Sequence, residues 1–368
     1  MSRMRTREQT RALKVGGVPV GGGAPVSVQT MANVDPHDAD ALSAQVLRCA
    51  EQGCDIFRLT VPDVEAAKAL AEVKRRSPVP LVADIHFDWR CALAAIEAGT
   101  DALRLNPGNI GPRERVQAVA RAAKGRGVPI RIGVNLGSLE KELRGELEAG
   151  RIGAPEALAR SALGHLKLLE DEGFRDVAIS AKASNVPDTL ATYRMLAERT
   201  DCPLHVGVTE AGTFVPGTVR SAVALGVLLA EGIGDTIRVS LTDRPEREVR
   251  VGVEILRSLG LRAAGPSITS CPTCGRTKVN LLKVASEVES ALEAEWLRES
   301  KAGGAARPFP HVAVMGCAVN GPGEAKGADV ALCGGDGDFV LFVKGKQKCR
   351  VSESEAARRT VENVLLLR

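Results

Sequence analysis

DIFRLTVPDVEAAKALAEVKRRSPVPLVADIHF, residues 55–87, contains two short β-branched runs separated by one helical segment. In that segment, from Val64 to Lys74, apolar side chains recur at spacings of three and four, which is typical of an amphipathic helix. The flanking runs, which begin at Asp55 and Pro80, have the length and composition of buried strands. A strand, a helix and a second strand in this order predict one parallel βαβ unit.

The same unit repeats through the first two thirds of the chain. A succession of eight strand–helix units predicts an α/β fold of the (β/α)8 type, the TIM barrel. The glycines between positions 16 and 23 precede a strand rather than a helix, and therefore favour a hairpin that closes the barrel floor over a phosphate-binding loop. The eight runs begin at Pro25, Asp55, Pro80, Ala102, Pro129, Asp176, Pro203 and Thr236.

Beyond Leu261 the pattern changes to that of a small α+β domain. A helix, three strands and a final helix over 354–367 are expected there, with a linker from Lys301 and a turn at Asp336 and Gly337. A chain of 368 residues exceeds one ordinary core, so we place two domains at residues 1–263 and 264–368. The apolar stripe of the first helix is formed by Val284, Val288, Leu292 and Trp296.

Composition excludes several classes of protein. The chain is 44% hydrophobic and 26% charged, as expected for a globular protein in the cytosol. Its net charge of +4 lacks the clustered excess that nucleic acid requires, and no apolar run has the length of a signal peptide or a membrane span. The odd number of cysteines, nine, favours metal binding or chemistry at a subset of them over disulfides.

Charged side chains cluster where the predicted strands end, which is where TIM barrels place their chemistry. Side chains two apart in a strand point to the same face, so these groups can converge on one mouth. Five cations against two carboxylates would leave this mouth with three positive charges, which favours a small anion such as a phosphate ester. The groups are Arg58, Asp84, His86, Arg104, Asn106, Arg131, Asn135, Lys182, Glu210, Arg238 and Ser240.

Two of these residues have alternative interpretations. Lys182 is either a phosphate contact or a Schiff-base nucleophile, and its four arginine neighbours favour the phosphate contact. His86 is either a binding residue or a structural imidazole. The other histidines lack such a setting and are interpreted as structural or exposed; they are His37, His165, His205 and His311.

The cysteines of the second domain indicate a redox cluster. Cys271 and Cys274 form a Cys-x-x-Cys pair, which zinc knuckles, thiol redox pairs and iron–sulfur sites all use. Cys317 lies in the glycine-rich segment MGCAVNGPGE, and Glu324 follows seven residues later. Three thiolates and one carboxylate suit a structural zinc poorly, but they suit an iron–sulfur cluster with one displaceable oxygen ligand.

A fourth sulfur is the alternative to Glu324. Cys333 or Cys349 could supply it, giving a zinc ribbon or an all-cysteine cluster. The remaining four cysteines are expected to pack as small hydrophobic residues. They are Cys49, Cys54, Cys91 and Cys202.

The motifs resemble those of bacterial 4-hydroxy-3-methylbut-2-enyl diphosphate synthases in their two-domain form. The resemblance covers nearly the whole chain and departs from the family at Thr30 and Ala32, where Ser and Thr are usual. It rests on VQTMAN, DIFRLTV, ADIHFD, LRLNPGNIG, RIGVN, SAKAS, GVTEAG, RVSLT, SCPTCGR and MGCAVNGPGEA, in this order.

The resemblance implies a reductive ring opening of 2-C-methyl-D-erythritol 2,4-cyclodiphosphate with loss of water, in non-mevalonate isoprenoid biosynthesis. It also implies flavodoxin or ferredoxin as electron donor, a cluster domain of the sulfite/nitrite reductase type, and a homodimer in which that domain caps the partner's barrel, with a hinge near residues 264–267. A 4Fe-4S cluster would be held by Cys271, Cys274, Cys317 and Glu324.

The same resemblance assigns roles in the barrel. Asp84, His86, Asn135 and Glu210 would line the reacting carbons, and we hypothesise that Glu210 donates the proton to the leaving oxygen while Glu324 is displaced by substrate. The diphosphate would be held by Arg58, Arg104, Arg131, Lys182, Arg238 and Ser240.

Two other functions remain open on the residues alone. One is a barrel aldolase or pterin-type synthase with a structural zinc domain, which trapping of substrate on Lys182 would favour. The other is an electron carrier or cluster scaffold without catalysis, for which a polar barrel mouth would have no purpose.

Overall fold

The computed structural model describes residues 4–262, 265–301, 309–319, 321, 323 and 326–368. The chain divides into two compact units, Met1–Arg262 and Ala263–Arg368, and each has its own hydrophobic core. No helix among the described residues is long and apolar enough to cross a membrane.

The first unit is a barrel of eight parallel strands, as predicted. The strands are β3 (Ser27–Met31), β4 (Ile56–Thr60), β5 (Leu81–Asp84), β6 (Ala102–Arg104), β7 (Ile130–Asn135), β8 (Val177–Lys182), β9 (His205–Val206) and β10 (Thr236–Ile237). Each strand hydrogen-bonds to its neighbours in the order β8-β7-β6-β5-β4-β3-β10-β9. A parallel bridge between Ile179 and Leu204 brings β8 beside β9 and nearly closes the ring.

Helices cover the outside of these strands, and their sequences explain where they begin and what they bury. In α2 the Asp63 side chain accepts a hydrogen bond from the Ala66 backbone N–H at 2.9 Å, which satisfies one of the free donors of the first turn. Leu70 and Val73 are buried on the inner stripe, and each such side chain contributes about 1.5–3 kcal/mol. The helices are α1 (Ala39–Glu51), α2 (Val64–Arg76), α3 (Trp89–Glu97), α4 (Arg113–Arg126), α5 (Lys141–Glu148), α6 (Ala154–Glu170), α7 (Val186–Arg199), α8 (Phe214–Ala230) and α9 (Pro245–Ser258).

A short hairpin closes the floor of the barrel, which confirms the interpretation of the opening glycines. Strands β1 (Leu13–Val15) and β2 (Val18–Val20) pair antiparallel. Gly16, in the turn between them, has a φ of +57° that favours glycine. The hairpin's apolar residues pack against residues inside the barrel near the amino ends of its strands, and the cluster comprises Leu13, Val15, Val20, Ile56, Val82, Ala102 and Ala178.

The second unit is the predicted small α+β domain. Its sheet has the order β11-β12-β13-β14-β15, with β11, β12 and β13 parallel and the last two strands antiparallel. The first helix of this unit, α10, buries the predicted apolar stripe of Val284, Val288, Leu292 and Trp296. The elements are β11 (Ser267–Ser270), α10 (Leu281–Lys301), β12 (His311–Met315), β13 (Val330–Gly334), β14 (Asp338–Val343), β15 (Lys346–Ser352) and α11 (Glu353–Leu366).

Two edge strands were not predicted. Strand β11 has mostly exposed residues with the sequence SITS, and β15 is KQKCRVS, in which exposed lysines replace the apolar alternation that marks a strand. Lysines are a common means of protecting a sheet edge from pairing with another chain. The predicted hinge near residues 264–267 includes Ser267, which starts β11, and Ala264, which lies outside the described residues. Most of the linker after Lys301 also lies outside them.

Candidate active site

Three charged side chains form a row across neighbouring strands at the barrel mouth. Asp84 pairs in register with Arg104 on the next strand, and Arg104 pairs with Arg131 on the one after. Arg104 Nη1 lies 3.0 Å from Asp84 Oδ1, while Arg58 Nε lies 3.6 Å from Asp84 Oδ2. The carboxylate of Asp84 therefore sits between two guanidinium groups and fixes both.

The charges around Asp84 determine its ionisation. Burial raises the pKa of this carboxyl, but Arg58 and Arg104 outweigh that effect, with a smaller contribution from His86, so that its pKa is lowered overall. Asp84 is therefore an anion at neutral pH and a structural partner of the arginines. A protonated, acid-donating Asp84 is not favoured by this setting.

Arg131 is the most deeply buried guanidinium of the mouth. The residue is 7% exposed, and its Nη1 donates to Gln29 Oε1 at 2.5 Å. Its Nε and Nη2 are buried without a hydrogen-bond partner among the described residues. Burial, followed by the charges of Arg58 and Arg104, lowers the pKa of Arg131 well below its usual value. An anion in the mouth would offset both costs, because it would accept those hydrogen bonds and neutralise the charge.

Glu248 is a residue of the mouth that the sequence analysis missed. It reaches in from α9, is 4% exposed, and accepts hydrogen bonds from Thr30 Oγ1 at 2.6 Å and from the Leu241 N–H at 2.9 Å. Arg238 Nη2 lies 3.5 Å from both of its oxygens. The mouth was expected to carry a net charge of three, from five cations and two carboxylates. Glu248 adds a third carboxylate, so the net charge is two and the expectation was wrong. The available signal was the position of Glu248 on the buried stripe of α9, beside Val249 and Gly252.

His205, which the sequence interprets as structural or exposed, is completely buried beside Lys182, with its Nε2 3.3 Å from Lys182 Nζ. An ideal Cβ at Gly207, two residues after His205, would lie 3.1 Å from the same Nζ. Both residues therefore face the barrel interior.

Glycines make room for the site's charged groups. A Cβ at Gly133 would collide with the Arg104 guanidinium, whose Nη2 donates to the Gly133 carbonyl at 2.5 Å. The Gly133 N–H in turn donates to Asn106 Oδ1 at 2.8 Å. Gly133 thus fixes the neighbouring strand's Arg104 and Asn106 through its backbone, which explains the glycine in RIGVN.

The other predicted residues lie at or beyond the carboxyl ends of their strands. His86 is exposed just beyond β5, with its ring 6.2 Å from that of Phe87. Asn135 is half-buried, opposite Lys182 in register, and Ser240 is half-buried beyond β10. Glu210 is exposed in the loop after β9, and its φ of +52° is rare for a residue with a side chain.

In the second unit, two predicted ligands follow adjacent parallel strands. Ser270 pairs in register with Val314, so Cys271 after β11 and Cys317 after β12 leave the same edge of the sheet. Cys271 is half-buried, Cys317 is 8% exposed and Cys274 is exposed. The Gly316 N–H donates to Cys271 Sγ at 3.2 Å, the type of contact that stabilises thiolate ligands.

These three thiols fit an iron–sulfur group by their chemistry, because thiolates are the usual ligands of such clusters. Glu324, the fourth predicted ligand, lies outside the described residues. Within the described part of the chain, no three His, Cys, Asp or Glu side chains are gathered around a position for a single metal ion. The other cysteines of the barrel are buried in its core, as predicted.

The alternative fourth sulfurs are distinguished by their strands. Cys349 is exposed on β15, four strands from Cys271, which is about 19 Å at the usual strand spacing. That distance excludes Cys349 as a common ligand. Cys333 on β13 is 2% exposed and shares a small apolar cluster with Cys271. An ideal Cβ at Gly321 would lie 2.7 Å from its Sγ, so Cys333 supports the loop that follows Cys317.

Comparison with known proteins identifies relatives over nearly the whole chain. A protein named 4-hydroxy-3-methylbut-2-en-1-yl diphosphate synthase (flavodoxin) from Geobacter sulfurreducens is 53% identical over 97% of this chain and 98% of its own length. Proteins with the same name from Maridesulfovibrio salexigens and Caldanaerobacter subterraneus are 53% and 51% identical, over 96% and 93% of this chain and 94% and 93% of their own. Among solved structures, a dihydropteroate synthase from Xanthomonas albilineans is 18% identical, with a TM-score of 0.48, over 68% of this chain and 97% of its own length.

Two family models match the two parts of the chain. The GcpE TIM-barrel domain matches residues 10–253, and the GcpE protein C-terminal domain matches residues 267–365. The resemblance inferred from the sequence motifs is thereby confirmed. With both of its domains and most of its length matched in this way, the chain belongs to the GcpE family.

Proposed function

We propose that this chain is a 4-hydroxy-3-methylbut-2-en-1-yl diphosphate synthase. It opens the ring of 2-C-methyl-D-erythritol 2,4-cyclodiphosphate by a two-electron reduction with loss of water, in non-mevalonate isoprenoid biosynthesis. The names of its relatives support this activity. The observation that carries it is the buried guanidinium of Arg131, whose Nε and Nη2 have no hydrogen-bond partner among the described residues and whose neighbours include the cations Arg58, Arg104 and Arg238.

The barrel, residues 1–263, binds the substrate through its cyclic diphosphate. Arg131 and Lys182 lie deepest, at 7% and 9% exposure, and contact the phosphate oxygens that enter farthest. Asp84 and Glu248 do not touch the substrate; they hold Arg58, Arg104 and Arg238 in place. The outer contacts to the diphosphate and the carbon skeleton come from Arg58, Arg104, Arg238, Ser240, Asn135 and His86.

Glu210 donates the proton that departs with the leaving oxygen. Its exposure in the loop after β9 gives its carboxyl group access to solvent protons. Its backbone has a left-handed conformation, which is usual for glycine and rare for a residue with a side chain. Glu210→Gln should therefore keep substrate affinity and lose turnover by about 100-fold or more. Full turnover in this variant, with affinity intact, would contradict the role.

The second domain, residues 264–368, holds a 4Fe-4S cluster through Cys271, Cys274, Cys317 and Glu324. When bound, such a cluster supplies electrons one at a time. The protein's contribution is to place Cys271 and Cys317 on one edge of the sheet, with Cys274 three residues after Cys271, and to donate the Gly316 N–H to the Cys271 sulfur. Flavodoxin is the electron donor that the relatives' names support, and ferredoxin is the alternative.

Anaerobic metal analysis combined with turnover tests the whole proposal. Protein from iron-replete cells should contain iron and acid-labile sulfide, and should convert the cyclic diphosphate when reduced flavodoxin is supplied. Cys274→Ser should lose the cluster and the activity. Cys349→Ser is the matched control, because it also removes one exposed thiol of the same unit and should change neither. Protein without sulfide, or with one zinc per chain, would contradict the proposal.

The active form is a homodimer in which the cluster domain of one chain covers the barrel of the other. This proposal is supported by Arg262, whose Nη1 and Nη2 lie 2.8 and 3.0 Å from the Asp55 carboxylate. Asp55 precedes β4, so the barrel's last described residue is fixed at the amino ends of the strands, whereas the mouth is at their carboxyl ends. The described part of the barrel therefore ends away from its own mouth, and we place the cluster domain over the mouth of a second chain.

Mixing a variant without the cluster and a variant with weakened substrate binding, assayed at substrate concentrations far below the raised KM, distinguishes this arrangement from a self-contained monomer. Cys317→Ser removes a cluster ligand, and Arg131→Met removes a phosphate contact. If barrel and cluster come from different chains, a heterodimer has one intact site, and random mixing restores about a quarter of the sites. No recovery after subunit exchange would contradict the arrangement.

A further inference from the structure

His205 is held at three points inside the barrel. Its Nδ1 lies 2.8 Å from Thr236 Oγ1, its Nε2 lies 3.3 Å from Lys182 Nζ, and its backbone carbonyl accepts a hydrogen bond from the Tyr193 hydroxyl at 2.7 Å. His205 and Thr236 are also register partners on neighbouring strands. The imidazole is fully buried. Its orientation is therefore fixed before any substrate enters.

The ring is neutral in this environment. Burial, followed by the charges of Arg131 and Lys182, lowers the pKa of His205 well below its ordinary value. A neutral imidazole has one N–H donor and one lone-pair acceptor. If Nδ1–H donates to Thr236, Nε2 is left as an acceptor that points at Lys182.

Lys182 needs such an acceptor because cations surround it. Burial, followed by the charges of Arg238 and Arg58, lowers its pKa well below the ordinary lysine value. Its hydrogen-bond partner in the structure is the His205 ring. The charged and titratable groups that act on Lys182 and His205 come from several elements. They are Arg131 of β7, His205 of β9, Arg238 just after β10, Arg58 of β4, Glu248 of α9, and Tyr193 of α7, which contacts His205.

We propose that His205 is a positioning residue for Lys182. Held by Thr236, the imidazole accepts one proton of the Lys182 ammonium through Nε2, and the other two N–H groups face the mouth to bind phosphate oxygens. Diphosphate binding is then accompanied by proton uptake at Lys182 whenever the free enzyme holds that amine uncharged. This inference rests on the proposed function, because it takes the anion to be the substrate's diphosphate.

The sign of the pH dependence follows from the charge of Lys182. The ammonium form binds the anion, so kcat/KM is highest at low pH and falls as pH rises through the pKa of Lys182 in the free enzyme. Removing the acceptor destabilises the ammonium further. The alkaline limb of kcat/KM should therefore move to lower pH when His205 is lost.

Three variants test the role in the anaerobically prepared holoenzyme. His205→Leu removes the acceptor, His205→Gln replaces Nε2 with an amide at similar reach, and Thr236→Val removes the hydroxyl that orients the ring with little change in shape. The measurements are the pH profile of kcat/KM, and calorimetric binding of inorganic pyrophosphate in two buffers of different ionisation enthalpy, which counts protons taken up.

We expect His205→Leu to weaken pyrophosphate binding at pH 8 about tenfold, which corresponds to the loss of roughly one charge-assisted hydrogen bond. The alkaline limb of kcat/KM should also shift to lower pH in this variant. kcat at the acidic plateau should be unchanged. His205→Gln should restore the limb, and Thr236→Val should shift it in the same direction as His205→Leu. Thr236→Val therefore also serves as the test if His205→Leu does not fold.

The inference would be overturned if both His205→Leu and Thr236→Val kept the wild-type alkaline limb of kcat/KM and the wild-type affinity for pyrophosphate. It would also be overturned if His205→Gln behaved like His205→Leu in these measurements. Failure of the proposed function is separately visible. In that case wild-type protein would bind pyrophosphate with the expected dependence on His205, but would not convert the cyclic diphosphate.

Discussion

Arg104 donates to Asp84 from the neighbouring strand, with Nη1 3.0 Å from Oδ1, in a position where the carboxylate is 2% exposed. Because Asp84 also lies beside Arg58, its removal would leave two guanidinium groups without their anion. We expect Asp84→Asn to lower the free energy of unfolding by about 3 kcal/mol at pH 7, measured by urea denaturation. Asp176→Asn, at an exposed position before β8, is the matched control and should have little effect.

The stability difference between wild type and Asp84→Asn should depend on pH. The pKa of Asp84 is lower in the folded protein than in the unfolded chain, where a value of about 3.9 is usual. Its contribution is therefore fully present above about pH 4 and is lost as pH falls through the folded-state pKa. The unfolding curves of the two proteins should converge in acid. A difference that stays constant from pH 7 to pH 3 would show that ionisation of Asp84 is not its source.

Arg131→Met should separate binding from stability. Within the part of the chain that the structure describes, two donors of the buried guanidinium have no partner, so its loss removes a desolvation cost as well as the contact to Gln29. KM for the cyclic diphosphate should rise at least about tenfold, while the melting temperature stays the same or rises. Arg126→Met, exposed at the end of α4, controls for loss of a cation far from the site. A marked fall in melting temperature would mean that Arg131 serves the fold rather than the ligand.

Gly133→Ala should displace Arg104. The added methyl would collide with that guanidinium, and the side chain cannot move away without losing Asp84 or the Gly133 carbonyl. We expect a higher KM together with lower stability. Gly164→Ala is the contrasting control, because a Cβ there meets nothing within 4 Å in the interior of α6, and the change should add about 0.5–1 kcal/mol of stability. Equal behaviour of the two variants would contradict the steric argument.

Cys333→Ala should keep the cluster. Its sulfur packs in an apolar cluster with Ala313 and Met315 and against the loop at Gly321, which is a packing role. Iron and sulfide content should match wild type in anaerobic preparations, whereas Cys317→Ala should lose both. Loss of sulfide in Cys333→Ala, with its secondary structure intact by circular dichroism, would instead make Cys333 a ligand.

Much of the architecture could be predicted from local patterns. The eight strands follow from apolar runs, because strands of a parallel barrel are buried on both faces and their sequences show it. The edge strands β11 and β15 could not be predicted, because their residues are mostly exposed and polar and lack the apolar alternation of a strand. They are strands because they pair with a neighbouring strand of the sheet. Once the eight repeats are assigned to a TIM barrel, consecutive strands are expected to be neighbours, and this sets the order in which their side chains surround the mouth.

The site was predicted only where charge coincided with a strand end. Asp84, Arg104, Lys182 and Arg238 lie at or just beyond the ends of their strands, as this rule requires. Arg58 is the middle residue of β4 and Arg131 the second residue of β7, but the structure gathers both with the others. Glu248 comes from a helix that follows the last strand, and its identity as a site residue depends on tertiary packing. His205 lies at the start of its short strand rather than the end, and a lone histidine carries no periodic signal. Both belong to the layer that holds other side chains in place.

The hairpin under the barrel has a consequence for the order of events in turnover. With Leu13, Val15 and Val20 packed into the amino ends of the strands, the described part of the barrel offers no passage from one end to the other. Product must then depart through the aperture by which substrate arrived, and both carry a diphosphate that the same cations attract. The product should accordingly compete with substrate as an inhibitor, and each cycle must end with the aperture uncovered before the next molecule can be admitted.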